Sequence, residues 1–569
     1  MAVTIARATY VLALGKLVGA ARRPIQIPVY LADSLFLPRE VERNLLEELS
    51  GIEVTFGPRR NERRFTLPQM LVNQPENFDD AIAAATRVAE DHASGGRESR
   101  ESLDRYLEQA VPALSQALQR EDIVTALWHF ALGLSELIRQ KQDSIWSFII
   151  RNSYRPAMLR QQFDIIIGNP PWVAYRYVTD RSYQNEIKRL AVEMYKIAPK
   201  SQKLFTQMEL ATVFLAHSLM TFARPGAKLA FVMPRSVLTA DQHQNLIRRK
   251  YSAKFRLSGY WDLWGVRPLF NVPSCVLFAQ QSALQGTSKD SIPAQIWAGQ
   301  LSTRDSPWDT VADKFTVSES VAKVIWMGSR CALSTESGAS SETRSSVYAK
   351  VFRQGATIVP RSFFFTVEGL DGTPEVERLY HVMTDEESAA DSKKPWQGIR
   401  LKGNVEGRFL FCTALSRQVL PFCLLSPSPV VLPIEQANGK LYTMTPESMK
   451  RKGYREAAKW MESAESIWKA RRGAKTSHTL TEWLDYSGKL TAQSPRSAHL
   501  VLYNAAGTNV SATYCDRSIL DLPFVVEHKL YWAALETPEE AHYLTSVLNS
   551  ATVNLVIKPF QSTGLLGAC

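Results

Sequence analysis

Phe163-Asp164-Ile165-Ile166-Ile167-Gly168-Asn169-Pro170-Pro171-Trp172 decides how this chain is read. The apolar run from Phe163 to Ile167 has the length and branching of a buried strand. Gly168 and the two prolines end it, and an aromatic ring follows. Asn-Pro-Pro-aromatic should arise by chance in roughly one chain in 200 of this length. The order therefore asks for a chemical reason.

The exocyclic amine of adenine or cytosine supplies one. Its lone pair is conjugated into the ring, so it is a poor nucleophile. Two acceptors, one for each N–H, draw the nitrogen toward tetrahedral geometry and free the lone pair. Asn169 can offer its side-chain oxygen and Pro170 its backbone carbonyl. Pro171 stiffens the loop, so that carbonyl is aimed in advance. Trp172 offers a face for a base taken out of its stack. Gly168 lets backbone and ligand approach closely. The same residues also suit a rigid turn at a strand end, with Trp172 in the core.

The chain has 569 residues, 45% of them hydrophobic, enough for several buried cores. Its formal net charge of +11 favours a polyanionic partner. Cys275, Cys331, Cys412, Cys423, Cys515 and Cys569 form no Cys-x-x-Cys pair, and the histidines do not cluster with them. That speaks against a zinc site and a disulfide framework, and for a reducing compartment. No apolar run is long enough to span a bilayer, so a cytoplasmic protein is expected.

Ala2 to Val18 reads as a helix and Val29 to Ala32 as a short strand, with Asp33-Ser34 at its end. Residues 40–142 are charged and mostly helical in pattern. From 163 strands and helices alternate: 163–167, a helix over about 204–222, a strand over 228–233, a helix over 241–250, then strands at 259–261 and 272–279. This alternation predicts a doubly wound sheet, with the Asn169 loop at the C-terminal end of its strand, where ligands bind. Residues 282–346 are rich in Ser, Thr and Gly at both ends and read as a linker or small insertion. Beyond Val347, strands around 363–367 and 500–504 flank a long helical stretch, Pro446 to Ala474, carrying many Lys and Arg with Trp460 and Trp468. That helix could hold phosphates, or be a solvated face with its tryptophans in the core. No internal repeat is present.

The segment from Ile145-Trp146 through Tyr175-Arg176-Tyr177 resembles the amino-methyltransferases of DNA restriction–modification systems. Their catalytic motif is (Asn/Asp/Ser)-Pro-Pro-(Tyr/Phe/Trp), and Asn in first place resembles the adenine-N6 enzymes. Phe205 to Ala211 is similar to the helix after their catalytic loop, and Gly226 to Arg235 to the next strand. Pro268 to Ser274 resembles the segment whose aromatic closes the base pocket. The likeness is to large single-chain enzymes of the type IIG and phage-exclusion kind.

The resemblance implies an α/β fold, with a class I methyltransferase domain over 1–281 followed by a mixed α+β target-recognition region over 347–569. It implies S-adenosylmethionine as methyl donor and double-stranded DNA with a flipped adenine as substrate. Asn169, Pro170, Pro171 and Trp172 would be catalytic, Phe270 and Tyr175 would bind the base, and Asp33 and Asn169 would touch the cofactor. Asp33 equally suits a strand-end turn.

Two features of such an enzyme are not found in this sequence: an Asp-Pro-x-x-Gly-x-Gly turn after an apolar strand before the catalytic loop, and an acid after a second strand that would hold the ribose hydroxyls. By resemblance, the chain begins inside the methylase domain, after its first two strands, so the doubly wound sheet is expected to be incomplete. A second polypeptide carrying the Gly-rich motif is then an expected partner. Two other readings stay open: a non-catalytic DNA-binding remnant, and a methyltransferase acting on another planar amide or amine. No nuclease signature is evident.

Overall fold

A computed structural model describes the chain except for residues 1, 22–26, 28, 30–32, 37–39, 42–50, 57–62, 69–70, 72–74, 98, 113–119, 142–145, 148–149, 151–153, 155–158, 283–290, 337–345, 368–372, 474–475, 494–496 and 562–569. The expected strand at 29–32 falls mostly outside the described residues. Two compact units are present: residues 1–237 with 241–323, and residues 238–240 with 324–569.

The first unit opens with the helix Ala2–Leu14. A small antiparallel sheet follows, made of β1 (Glu40–Val41), β2 (Gly51–Phe56) and β3 (Arg63–Pro68). This sheet adds short strands to a stretch read as mostly helical. Ile52, Val54 and Phe56 alternate with Glu53 and Thr55, a period of two, and their side chains are buried. The high charge of the surrounding segment hid that short alternation. Helices Pro75–Ala93, Arg100–Ala110 and Arg120–Arg139 then follow, and share a core with β2 around Phe56, Phe78 and Phe130.

The central sheet contains β4 (Phe163–Gly168), β5 (Ala223–Pro234), β6 (Phe255–Arg267), β7 (Ser274–Gln281), β8 (Ser291–Gln300), β9 (Phe315–Met327) and β10 (Arg330–Ser334). Their order is β10-β9-β8-β6-β7-β5-β4. β4 and β5 run parallel, as do β6 and β8, while β7 runs antiparallel to both β5 and β6. The fold is α/β around a mixed sheet. The stretch 282–346, expected as linker or insertion, contributes β8, β9 and β10. The division between units falls inside β9.

Two helices differ from their sequence reading. The helix expected over 204–222 breaks into Gln202–Phe205 and Leu210–Thr221. At the break, main-chain groups turn outward to the loop that follows β4: Tyr175 N–H donates to Met208 O, Arg176 N–H to Thr206 O, and Leu210 N–H to Val173 O. The helix expected over 241–250 is a 3-10 turn, Asp241–His243, and the single turn Gln244–Ile247.

The second unit is mixed α+β. One antiparallel sheet joins Arg353–Gln354, Leu530–Leu535, His499–Asn504 and Ala512–Asp516, and another joins Thr366–Val367, Leu379–Thr384 and Lys402–Glu406. The strand expected at 363–367 is a helical turn, Arg361–Phe364, before two strand residues. The long basic stretch is two helices, Pro446–Arg451 and Arg455–Arg471, parted at Gly453, whose φ of +90° only glycine adopts readily. Trp460 and Trp468 are each 4% exposed, and Lys450, Lys452 and Lys459 pair with Glu462, Glu435 and Glu456. The tryptophans are core, as in the second of the two readings above, while Arg451, Arg455, Lys469, Arg471 and Arg472 have no ion pair with a carboxylate among the described residues. No helix among the described residues is long and apolar enough to cross a membrane.

Candidate active site

Asn169 to Trp172 leave the C-terminal end of β4. Gly168 packs close to the Phe231 ring, which a Cβ would meet at 3.3 Å, so any larger residue would push the ring aside by a few tenths of an ångström. Pro170 is buried, whereas Asn169 is exposed. Its amide makes no hydrogen bond to other described residues and is available to a ligand. Trp172 is half-buried, and its Nε1 donates to Val232 O at 3.1 Å. That bond ties the loop to β5.

The Trp172 and Phe270 rings lie with centroids 5.1 Å apart at 58°. A base held between two rings needs them roughly 7 Å apart, two van der Waals contacts of about 3.5 Å each. The structure thus brings the two aromatics together with no slot between them, and opening one requires a shift of about 2 Å. Tyr175 packs elsewhere, 4.5 Å from the Phe205 ring, and burial raises its phenol pKa. Asp33 caps its own turn, accepting from Leu35 N at 2.9 Å and Phe36 N at 3.3 Å. Burial first, then the Asp33 carboxylate, pushes the Tyr183 phenol to about 12.

Two supports behind the loop had no sequence signal. Glu209 begins the helix Leu210–Thr221 and forms a bridge with Ala174 of the loop. Its carboxylate takes His243 Nε2 at 2.7 Å and Ser236 Oγ at 2.9 Å. Burial raises its pKa, but His243 and the hydrogen bonds outweigh this and bring it down to about 2. Arg235 pairs with buried Asp262 at 2.8 Å, while its N–H donates to Pro273 O. That pins the segment carrying Phe270 to the end of β5. A glutamate and a histidine separated by 34 positions, or an arginine and an aspartate by 27, leave no local pattern to read.

On its other side β4 is bare. Among the described residues no strand pairs with its outer edge, and it ends the sheet. Ile165 is 68% exposed and Ile167 is 78% exposed. The described residues do not form a complete cradle for S-adenosylmethionine. Asp33 is committed to its turn, and no glycine-rich turn borders Gly168. No group of side chains among them could hold a metal ion.

Residues 1–270 match the family described as Eco57I restriction-modification methylase. The N-terminal region of this chain is a relative of restriction-modification methylases. Solved structures are similar at low identity. The type IIL restriction-modification enzyme MmeI, in complex with DNA, is 10% identical over 71% of this chain and 45% of its own, with a TM-score of 0.40. The type IIG restriction endonuclease BpuSI is 12% identical over 85% of this chain and 56% of its own, at 0.24. The M protein of the type I restriction enzyme EcoKI is 13% identical over 41% of this chain and 50% of its own, at 0.19. This chain thus spans about half the length of each. No curated protein matches it.

Proposed function

We propose that this chain is the catalytic-loop and recognition part of a site-specific DNA methyltransferase, acting on adenine N6 in a restriction–modification or phage-defence system. The observation that carries this is the exposed, unpartnered Asn169 amide at the end of a parallel strand, beside the Trp172 and Phe270 rings. Asn169 Oδ1 and the Pro170 carbonyl accept the two N6 hydrogens. Trp172 and Phe270 part to take the flipped adenine between them. Glu209 and Arg235 hold the segments that carry these groups. S-adenosylmethionine supplies an electrophilic methyl group. No general base is required on the chain, since the N6 proton can leave to water after methyl transfer.

The bare edge of β4 supports a second element of the proposal. A further parallel strand, from a partner polypeptide or from residues outside those described, pairs with the outer edge of β4, its crossover helix covers the face of Ile165 and Ile167, and its glycine-rich turn comes to the loop. The basic charge of +11 and the mixed C-terminal unit fit duplex DNA as partner. Transfer of tritiated methyl to duplex DNA by the assembled enzyme tests the reading. The Asn169→Ala variant should lose transfer while DNA binding persists, and retained turnover would sink the role given to Asn169. The runner-up is a DNA-binding remnant without catalysis, and the described residues alone form only part of a cofactor cradle. Salt-sensitive DNA binding without any cofactor uptake in the assembled protein would select it.

A further inference from the structure

The second unit contains a cavity of about 640 Å³ that no step above uses. Pockets for nucleotide-sized ligands are roughly 300–1,000 Å³. Trp396, Trp468 and Trp483 line it. Trp396 stacks on Trp468 at 5.0 Å and 12°, and Trp483 lies 5.8 Å from Trp468 at 35°. Trp468 Nε1 is anchored to His478 O at 3.0 Å, and Trp396 packs edge-on to Phe363. The tryptophans are thus fixed, while Trp396 and Trp483 keep partial exposure.

Four cations share this cavity: Arg361, Lys393, Lys394 and Lys529. None has a carboxylate partner among the described residues. One carboxylate, Asp391, also lines the cavity, and it stands 3.8 Å from Arg417. The rim is held from below by Glu527. This fully buried carboxylate lies 2.5 Å from His528 Nδ1 and accepts from Lys529 N at 2.7 Å. A buried acid thereby fixes the turn that presents His528 and Lys529.

Aromatic surface calls for a planar or apolar group, and unpaired cations call for an anion. A cationic guest is repelled by four positive charges, and a purely apolar guest leaves them unmatched. A nucleoside phosphate meets both demands, with its base against indole and its phosphate among lysines and arginine. We propose that this cavity binds a nucleoside phosphate, the base against the tryptophans and the phosphate held by Arg361, Lys393, Lys394 and Lys529. The ligand is either a free nucleotide or one nucleotide of a DNA strand, and the two share this chemistry.

Tryptophan fluorescence of the full chain reads the site directly. It is titrated separately with adenosine triphosphate, deoxyadenosine monophosphate and a short single-stranded oligonucleotide. Saturable quenching is expected with at least one of them. Quenching by the mononucleotides assigns the site to a free ligand, and quenching by the oligonucleotide alone assigns it to a DNA strand. Lys393→Glu combined with Lys394→Glu should weaken binding at least tenfold with an unchanged melting curve, because both side chains are exposed. Trp483→Phe should remove much of the quenching amplitude. Absence of saturable quenching with all three ligands, or unchanged affinity in the lysine double variant, overturns the proposal. The site lies outside the methylase match, so the result stands whether or not methyl transfer is found.

Discussion

β4 and β5 lie side by side in one sheet, run parallel and carry similar apolar runs, yet their surroundings are opposite. Leu229 and Phe231 of β5 are 1% and 5% exposed, whereas Ile165 and Ile167 of β4, which the register places on the other face of the sheet, are 68% and 78% exposed. β5 has β7 beyond it and the helix Leu210–Thr221 against it. β4 has a neighbour on one side only among the described residues. Bare edges with apolar faces invite pairing and are usually blunted by charge or cover. The difference teaches that two things are open at β4, its outer edge and the sheet face that carries Ile165 and Ile167, beside the loop that Asn169 begins.

The comparison can be broken by substitution. Leu229→Asp should unfold the first unit, because an unpaired carboxylate in a closed core costs at least several kcal/mol. Thermal denaturation followed by circular dichroism checks this, and a cooperative transition near that of the parent would show that β5 is not core.

The covered side should also show itself in pH dependence. Burial lowers the His217 pKa to about 4 from its ordinary 6.5, although the Ser34 backbone opposes the shift. The fold therefore prefers the neutral ring. Its contribution is complete above pH 6.5 and is lost as pH falls toward 4, a total on the order of 3 kcal/mol. Urea midpoints measured across that range should fall for the parent and fall less for His217→Asn. Parallel slopes in the two proteins would remove His217 from the account. Glu209, depressed to about 2 from 4.5, loses its contribution only in the lower window between those values.

Glu209→Gln keeps the shape of the support behind the loop but removes its charge. A loss of about 1–3 kcal/mol is expected at neutral pH, the scale of one buried charged hydrogen bond. A denaturant midpoint indistinguishable from the parent would mean that His243 finds another partner. The smallest effect belongs to the bare edge. Ile167→Asp should shift the stability of the isolated chain by no more than about 0.5 kcal/mol. The same change should abolish capture of whatever strand completes the sheet, so a loss of stability as large as for Leu229→Asp would show that the edge is already covered.

Much of this was legible in the sequence because it depends on neighbours along the chain. The β4 strand, the strand over 228–233 and the α/β alternation all follow local periodicity and turn chemistry, whereas the packing of Gly168 against Phe231 does not. Proximity of Trp172 to Phe270 was readable only through family resemblance, since about a hundred residues separate them. Local pattern misled where a second partner intervened. The 204–222 helix breaks because residues 206–210 exchange main-chain hydrogen bonds with Val173, Tyr175 and Arg176. β8 to β10 went unread because polar, Ser-rich flanks masked short alternations. The basic helix was ambiguous from composition, since pairing of lysines with glutamates is a matter of tertiary geometry. The tryptophan cavity draws on residues from 357 to 529, and no window of sequence contains it.

The central claim is that the loop at the end of β4 prepares adenine N6 for methylation once the sheet is completed. Its most direct measurement is nucleoside analysis of duplex DNA after incubation with labelled S-adenosylmethionine and the assembled enzyme. The account predicts labelled N6-methyladenine with the parent and a drop of roughly 10²- to 10³-fold or more with Asn169→Ala. Label on cytosine, or undiminished transfer by the Asn169→Ala enzyme, would contradict it.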